Sequence, residues 1–223
     1  MRKMRGKYSV FIILVALLAE VAGVSFASDN VDFQYWNTES ISYKVAKDWK
    51  IEAEEEFRFG KDWGKLYYNH SDFGVVYSGL AKWFDLGANY RLVFEKNKKW
   101  AYENRPHLNA TFKYDLYDFD LSTRNRFEYR MKEKGASSWR YRNKFTIKYL
   151  LTLESFNLTP YIADEIFVDF SAGNLNRNRL YGGIGFKIIT NLTLDIYYLW
   201  QANKKSHHWT YDNVLGTKVK LSF

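Results

Sequence analysis

Cysteine is absent from this chain of 223 residues, and proline occurs only twice. Without cysteine the chain has no disulfide scaffold, no thiolate nucleophile and no thiolate metal site. After residue 28 there is also no apolar run near the ~18 residues of a transmembrane helix, which argues against a helical membrane protein. The hydrophobic fraction of 47% is nevertheless too high for a disordered chain. The length fits one folded domain.

The first 27 residues have the layout of a secretory signal peptide. Four basic residues among the first seven precede an apolar run at 10–19, and small residues stand at 25 and 27. The apolar run ends at Glu20 and is too short to span a bilayer. We therefore expect cleavage after Ala27, with export of a domain comprising residues 28–223.

The positive charge of the chain lies partly in this leader. The full chain has 33 Lys and Arg against 25 Asp and Glu, a net charge of +8. The leader contains four basic residues and one acidic residue, so its removal leaves +5. With this smaller charge and a secreted destination, we expect no nucleic-acid partner.

Alternation of apolar and polar residues runs through the rest of the chain and is typical of strands with two unlike faces. At 84–94, for example, the even positions are apolar while the odd ones include Asp85, Asn89 and Arg91. The pattern predicts ten strands, at residues 49–60, 65–81, 84–95, 99–114, 119–132, 137–149, 158–170, 175–188, 192–202 and 207–223.

A soluble β-sandwich would also alternate, but three features favour an all-β, antiparallel transmembrane β-barrel. The predicted strands are far longer than the roughly 5–6 residues of an average soluble strand. Tryptophan and tyrosine cluster near the strand ends, where rings meet lipid headgroups. The polar faces carry Arg, Lys, Asp and Glu, which suits a wet and charged lumen.

The number of strands depends on segment 31–45. As a single strand it would make eleven, which breaks the even count typical of bacterial barrels. It would also place Asn37 and Glu39 on the lipid face. A turn at 37–40 between two short strands gives twelve strands, which we favour. The alternative is ten wall strands plus a terminal segment folded over or into the barrel.

Phe223 ends the last predicted strand and resembles the C-terminal aromatic signal that outer-membrane proteins present to their insertion machinery. A run of short motifs also resembles the outer-membrane barrel family called domain of unknown function 2490. The resemblance covers essentially the whole mature chain and implies a barrel fold and an outer-membrane location, but it brings no catalytic residue. The motifs are EEEFRF at 54–59, NYR at 89–91, ENR at 103–105, RNRFEYR at 124–130, WRYRNK at 139–144, PY at 160–161, DEIF at 164–167 and NRNR at 176–179.

The inward faces of the predicted strands form a charged interior, in which we expect the functional residues of the lumen. Counting across the hairpins sets Glu128 opposite Arg142 and Arg105, Arg126 opposite Lys144, and Arg130 opposite Glu103. The candidate lumen or ion-pathway residues are Arg91, Arg105, Arg124, Arg126, Glu128, Arg130, Arg140, Arg142, Lys144, Glu165, Arg177 and Arg179.

Two interpretations of this interior remain open. In one, arginine and glutamate side chains interlock and close the lumen. In the other, the excess of arginine lines a narrow pore that prefers anionic solutes. Outer-membrane lipid, lipopolysaccharide and the insertion machinery are the expected partners.

Catalysis is not expected, although a lipid-modifying enzyme at the barrel rim is the alternative from another class. His70 and His107 face inward with no serine or aspartate placed to complete a triad. His207 and His208 are adjacent and point to opposite sides of a strand, so we expect neither a metal nor another cofactor. Glycines at 182–185 lie within a strand, not in a phosphate-binding loop, and we expect them to permit barrel curvature.

Overall fold

A computed structural model describes residues 32–152, 157–171, 173–205 and 208–223. All regular secondary structure in these ranges is β-strand. None of the described residues belongs to a helix long and apolar enough to cross a membrane. The expected signal peptide, its cleavage position and His207 lie outside the described residues.

The described residues form twelve strands, and the ten predicted ones agree with the observed bounds to within about three residues. The strands are β1 (Asp32–Ala46), β2 (Trp49–Gly60), β3 (Lys65–Ala81), β4 (Phe84–Lys96), β5 (Trp100–Leu116), β6 (Phe119–Lys132), β7 (Ser138–Tyr149), β8 (Leu151–Thr152), β9 (Asn157–Asp169), β10 (Asn174–Ile189), β11 (Leu192–Lys205) and β12 (His208–Ser222).

The sheet closes on itself. Each long strand pairs with its sequence neighbour in antiparallel fashion, β7 pairs with β9, and β1 pairs with β12 in parallel. The two-residue β8 lies outside this order and pairs only with β9. The wall of the barrel therefore contains eleven strands, and a closed wall leaves no strand edge without hydrogen-bond partners.

The predicted turn at 37–40 is wrong, because β1 is continuous through it and pairs on both sides. The expected count of twelve wall strands is therefore not confirmed, nor is the alternative of ten. Asn37 does face outward, but its amide donates to Thr217 Oγ1 at 3.1 Å, which satisfies it within the wall. Known bacterial barrels usually have an even number of strands. An odd number makes the first and last strands parallel, and a parallel pair also forms a complete hydrogen-bonded ladder.

In a soluble protein the apolar side chains lie inside and the polar ones outside. The wall of this barrel has the opposite arrangement. Large apolar side chains such as Phe73, Leu108 and Phe127 are exposed on the outside. Among the described residues, buried polar and charged side chains outnumber buried apolar ones. The core of the molecule is therefore its lumen, and that core is ionic.

The barrel has two rims, which we name for the chain ends. The C-rim carries Phe223 and the tight connections at 47–48, 82–83, 117–118 and 190–191. The N-rim carries Asp32 and the connections at 61–64, 97–99 and 133–137. The first and last strands run parallel, so residues 32 and 223 lie at opposite rims.

Candidate functional site: the barrel interior

Cations and aromatic rings stack across the middle of the lumen. The guanidinium carbon of Arg58 lies 3.7 Å from the ring centroid of Trp36 and 4.1 Å from that of Tyr68. Trp36 is 2% exposed, although it belongs to a strand whose sequence argued for a turn. These three side chains link β1, β2 and β3 on one side of the barrel.

The stack continues on the other side of Trp36. The Arg179 guanidinium lies 4.8 Å from Trp36 and 4.9 Å from the ring of Phe167, and Arg142 lies 4.6 Å from Phe167. Phe167 is 1% exposed. We call the whole layer the septum, which comprises Tyr68, Arg58, Trp36, Arg179, Phe167 and Arg142.

Buried carboxylates neutralise part of the septum. Glu56 pairs with Arg58 through Nε at 2.6 Å and Nη2 at 2.5 Å. Glu165 accepts bonds from Arg142 Nη2 at 2.7 Å and from the Tyr181 hydroxyl at 3.0 Å. Hydrogen bonds between charged groups are short and strong, so these contacts hold the Arg58 and Arg142 side chains in the layer.

Glu128 is the most enclosed acid of the interior. Its side chain has no solvent exposure and pairs with Arg140 and, at 3.5 Å, with Arg142 Nη1. A buried carboxylate requires such partners, because an isolated charge in a low-dielectric region is costly. Arg142 therefore joins two acids, Glu128 and Glu165, and holds one end of the septum in place.

An open cavity lies on each side of the septum. The C-rim vestibule, about 610 Å³, extends toward residues such as Asp120, Asp195 and Lys220. The N-rim vestibule, about 410 Å³, extends toward Arg105 and Arg177. Both cavities are lined mainly by polar and charged side chains from strands all around the wall. Four arginines contribute to both of them, namely Arg58, Arg91, Arg142 and Arg179.

Every one of the twelve candidate lumen residues lies inside the barrel. Eleven line one or both vestibules, and Glu128 is packed behind them. Those of the C-rim vestibule alone are Arg124, Arg126, Lys144 and Glu165. Those of the N-rim vestibule alone are Arg105, Arg130, Arg140 and Arg177.

The predicted partners across the β6–β7 hairpin are wrong by two residues. Glu128 is opposite Arg140 instead of Arg142, and Arg126 is opposite Arg142 instead of Lys144. A shift of two keeps each side chain on its face, since successive residues alternate between faces. Arg126 therefore still lies opposite a cation, which is Arg142 instead of the predicted Lys144.

The β5–β6 pairing differs in the same way. Glu128 is opposite His107 instead of Arg105, because the turn is two residues long and pairs the positions on either side of 117–118. Glu103 and Arg130 are not directly opposite, yet their side chains meet, with Arg130 Nε 2.7 Å from Glu103 Oε1. Long arginine side chains reach diagonally across the ladder.

Both inward histidines belong to this ionic network. His70 Nε2 lies 3.3 Å from Glu54, and His107 Nδ1 lies 3.1 Å from the backbone oxygen of Arg105. No serine contacts either ring among the described residues, so the geometry contains no triad there. The described residues also contain no group of three metal-ligating side chains.

The glycines at 182, 183 and 185 are expected to permit barrel curvature, but at Gly183 the structure shows a packing role as well. A Cβ at Gly183 would meet the ring of Tyr161 and the Cβ of Tyr197, each at 2.7 Å. Tyr197 also lies directly over Gly216 of the next strand. These glycines make room for large rings inside the lumen.

Sequence reasoning missed the aromatic part of the septum. Trp36 occupies an inward position in β1. Because the sequence predicts a turn at 37–40, it does not predict that the Trp36 side chain points into the lumen. Phe167 occupies an inward position between Glu165 and Asp169 of the same face of β9. The sequence does contain one signal for such a ring: a large aromatic residue on the same face of a strand as charged residues.

Comparison with known proteins supports the resemblance noted in the motifs. Residues 33–212 match the model of a family described as protein of unknown function (DUF2490). No curated protein matches the chain. The match covers nearly all of the barrel wall, from β1 into β12. The chain therefore belongs to the DUF2490 family.

Proposed function

We propose that this protein is an exported barrel of the Gram-negative outer membrane whose lumen is closed at rest by the septum and presents basic vestibules to anionic groups. The leader at residues 1–27 would direct export. The exposed apolar exterior and the ionic interior support membrane insertion, because this polarity is unfavourable in water and favourable in lipid.

Aromatic residues near the strand ends support the same location. Trp49 and Trp83 are exposed near the C-rim, and Trp100 and Trp139 are exposed near the N-rim. Tryptophan rings favour the headgroup region on both sides of a bilayer, where lipid and lipopolysaccharide would contact them.

The C-terminal residue supports assembly by the outer-membrane insertion machinery. Phe223 is more than half exposed, and its backbone nitrogen donates to Ser42 O at 2.9 Å while its backbone oxygen accepts from Lys44 at 2.9 Å. The last residue therefore helps to close the wall against β1.

The septum is the observation that supports a closed lumen. Five guanidinium–ring contacts within 5 Å connect side chains from strands on opposite sides of the barrel. Each such contact contributes about 0.5–2 kcal/mol, with the larger values where water is excluded. The layer is therefore a cohesive barrier between the vestibules.

Conductance of the refolded barrel in planar bilayers tests this closed state. We expect no discrete conductance steps from the natural chain. The variant Trp36→Ala removes the ring between Arg58 and Arg179, so we expect it to conduct and, because arginines line the opening, to prefer anions. The control variant Trp139→Ala removes an exposed outward ring and should leave the barrel closed.

A narrow anion-selective pore is the second candidate, and the four arginines shared by both vestibules favour it. Discrete anion-selective steps from the natural chain, unchanged in Trp36→Ala, would establish this pore and refute closure by the septum. The proposal assigns no catalysis to the protein.

A further inference from the structure

Arg126 differs from the other buried arginines of the lumen in its partners. Its side chain lies on the C-rim vestibule and is only 4% exposed. Nε donates to Asn109 Oδ1 at 2.8 Å, but Nη1 has no hydrogen-bond partner among the described residues. No carboxylate in that part of the chain lies within ion-pairing distance of this guanidinium.

The residues around Arg126 add to its charge. Arg142 lies directly opposite on β7, and the neighbouring inward pair, Arg124 and Lys144, is also cationic. The Lys144 ammonium lies 3.7 Å from the centroid of the Tyr181 ring, and no described carboxylate forms an ion pair with it. Like charges directly across a ladder repel each other.

The acid directly opposite Lys144 on β9 is Glu165, which is already engaged. Glu165 accepts from Arg142 at 2.7 Å, from Arg124 at 3.3 Å and from Tyr181 at 3.0 Å, while Arg179 approaches to 3.7 Å. One carboxylate thus serves three arginines. No carboxylate among the described residues forms an ion pair with Arg126 or with Lys144.

We infer that the C-rim vestibule contains an oxyanion site, at which Arg126, Arg124 and Lys144 bind a phosphate group. This inference rests on the proposed function, since it assigns a ligand class to the basic vestibule of the closed barrel. A phosphate group offers several charged acceptor oxygens, which match the planar fork of a guanidinium better than a halide does. The cavity of about 610 Å³ accommodates it.

Binding is tested by calorimetric titration of the folded barrel in detergent with inorganic phosphate. We expect saturable binding that Arg126→Gln weakens on the order of 10- to 100-fold, the range for a hydrogen bond to a charged group. The control Lys113→Gln removes the same charge from an ion pair with Asp85 outside the vestibule and should bind as the natural chain does. No saturable binding, or equal loss in both variants, would overturn the site.

Stability gives a second measurement, and its phosphate-free part does not depend on how tightly the variant binds. Because Arg126 is buried among cations, Arg126→Gln should fold and, without phosphate, should unfold at a higher urea concentration than the natural chain. Adding phosphate should raise the unfolding midpoint of the natural chain more than that of the variant. A variant that is less stable without phosphate and gains as much from phosphate would contradict the assignment.

The phosphate group could belong to a soluble ester or to a lipid headgroup, and nanodiscs separate the two sources. If headgroups reach the site, inorganic phosphate should bind more weakly in nanodiscs of neutral phospholipid than in a detergent that contains no phosphate; a soluble ligand predicts equal binding in the two. Conductance measurements distinguish a failure of this inference from a failure of the proposed function. A closed barrel without phosphate binding refutes the site alone, whereas an open natural barrel refutes the closed state.

Discussion

Replacing Glu165 by glutamine tests whether the septum is dehydrated. The side chain of Glu165 is 1% exposed and accepts from Arg142, Arg124 and Tyr181. Glutamine keeps the size and one acceptor oxygen but removes the negative charge. The arginines would then remain in the lumen with one compensating carboxylate fewer.

The expected cost follows from this burial. Breaking a buried ion pair on one side typically costs about 3–5 kcal/mol, and the acceptor that glutamine retains favours the lower end, about 3 kcal/mol. The matched control is Glu52→Gln, whose partner Lys50 is 43% exposed. An exposed pair of that kind contributes about 0–1 kcal/mol.

Urea unfolding of the barrel in lipid vesicles, followed by tryptophan fluorescence, measures both variants. With a denaturant slope of about 2 kcal/mol/M, Glu165→Gln should lower the unfolding midpoint by about 1.5 M, and Glu52→Gln by less than about 0.5 M. Equal shifts in the two variants would show that water solvates the septum arginines. The reasoning on burial and closure would then fail.

Two further predictions concern the wall. The pair Asn37→Cys and Thr217→Cys should form a disulfide under mild oxidation, because these residues are Cα partners across β1 and β12; failure to cross-link, judged against each single variant, would contradict closure by eleven strands. Gly216→Ala should lower unfolding stability by about 1–3 kcal/mol, because its Cβ would overlap the Tyr197 ring. Gly64→Ala, where the nearest atom is at 3.4 Å, should cost far less, and equal losses would refute the packing argument.

Much of the wall was readable from the sequence because the relevant physics is local. Side chains alternate from face to face along any strand, so the predicted inward positions of Arg91, Arg140 and Glu165 required no knowledge of neighbouring strands. The strand bounds followed from the same period and from the aromatic residues near the strand ends. The family resemblance, carried by motifs such as RNRFEYR, agrees with the match over 33–212.

Register could not be read in the same way, because it depends on the geometry of each turn. Tyr117 adopts φ 56°, a left-handed conformation that makes the β5–β6 connection two residues long. The sequence predicts a four-residue turn at 115–118, which shifts the predicted β5–β6 partners by two positions and leaves each side chain on its face. The face of a residue is a property of its strand, whereas its partner is a property of two strands and their turn.

Two features of the barrel depend on the tertiary structure alone. Closure requires that β1 find β12, which is separated from it by nearly the whole chain, and the polar residues at 37–40 argued locally for a turn. The septum requires that Trp36, Arg179 and Phe167 meet across the lumen. The sequence by itself determined an all-β chain with an ionic face and an apolar face. Only the closed barrel decided which charges pair, that Arg126 has no ion pair among the described residues, and where rings fill the lumen. Those contacts depend on the curvature and register of the whole wall.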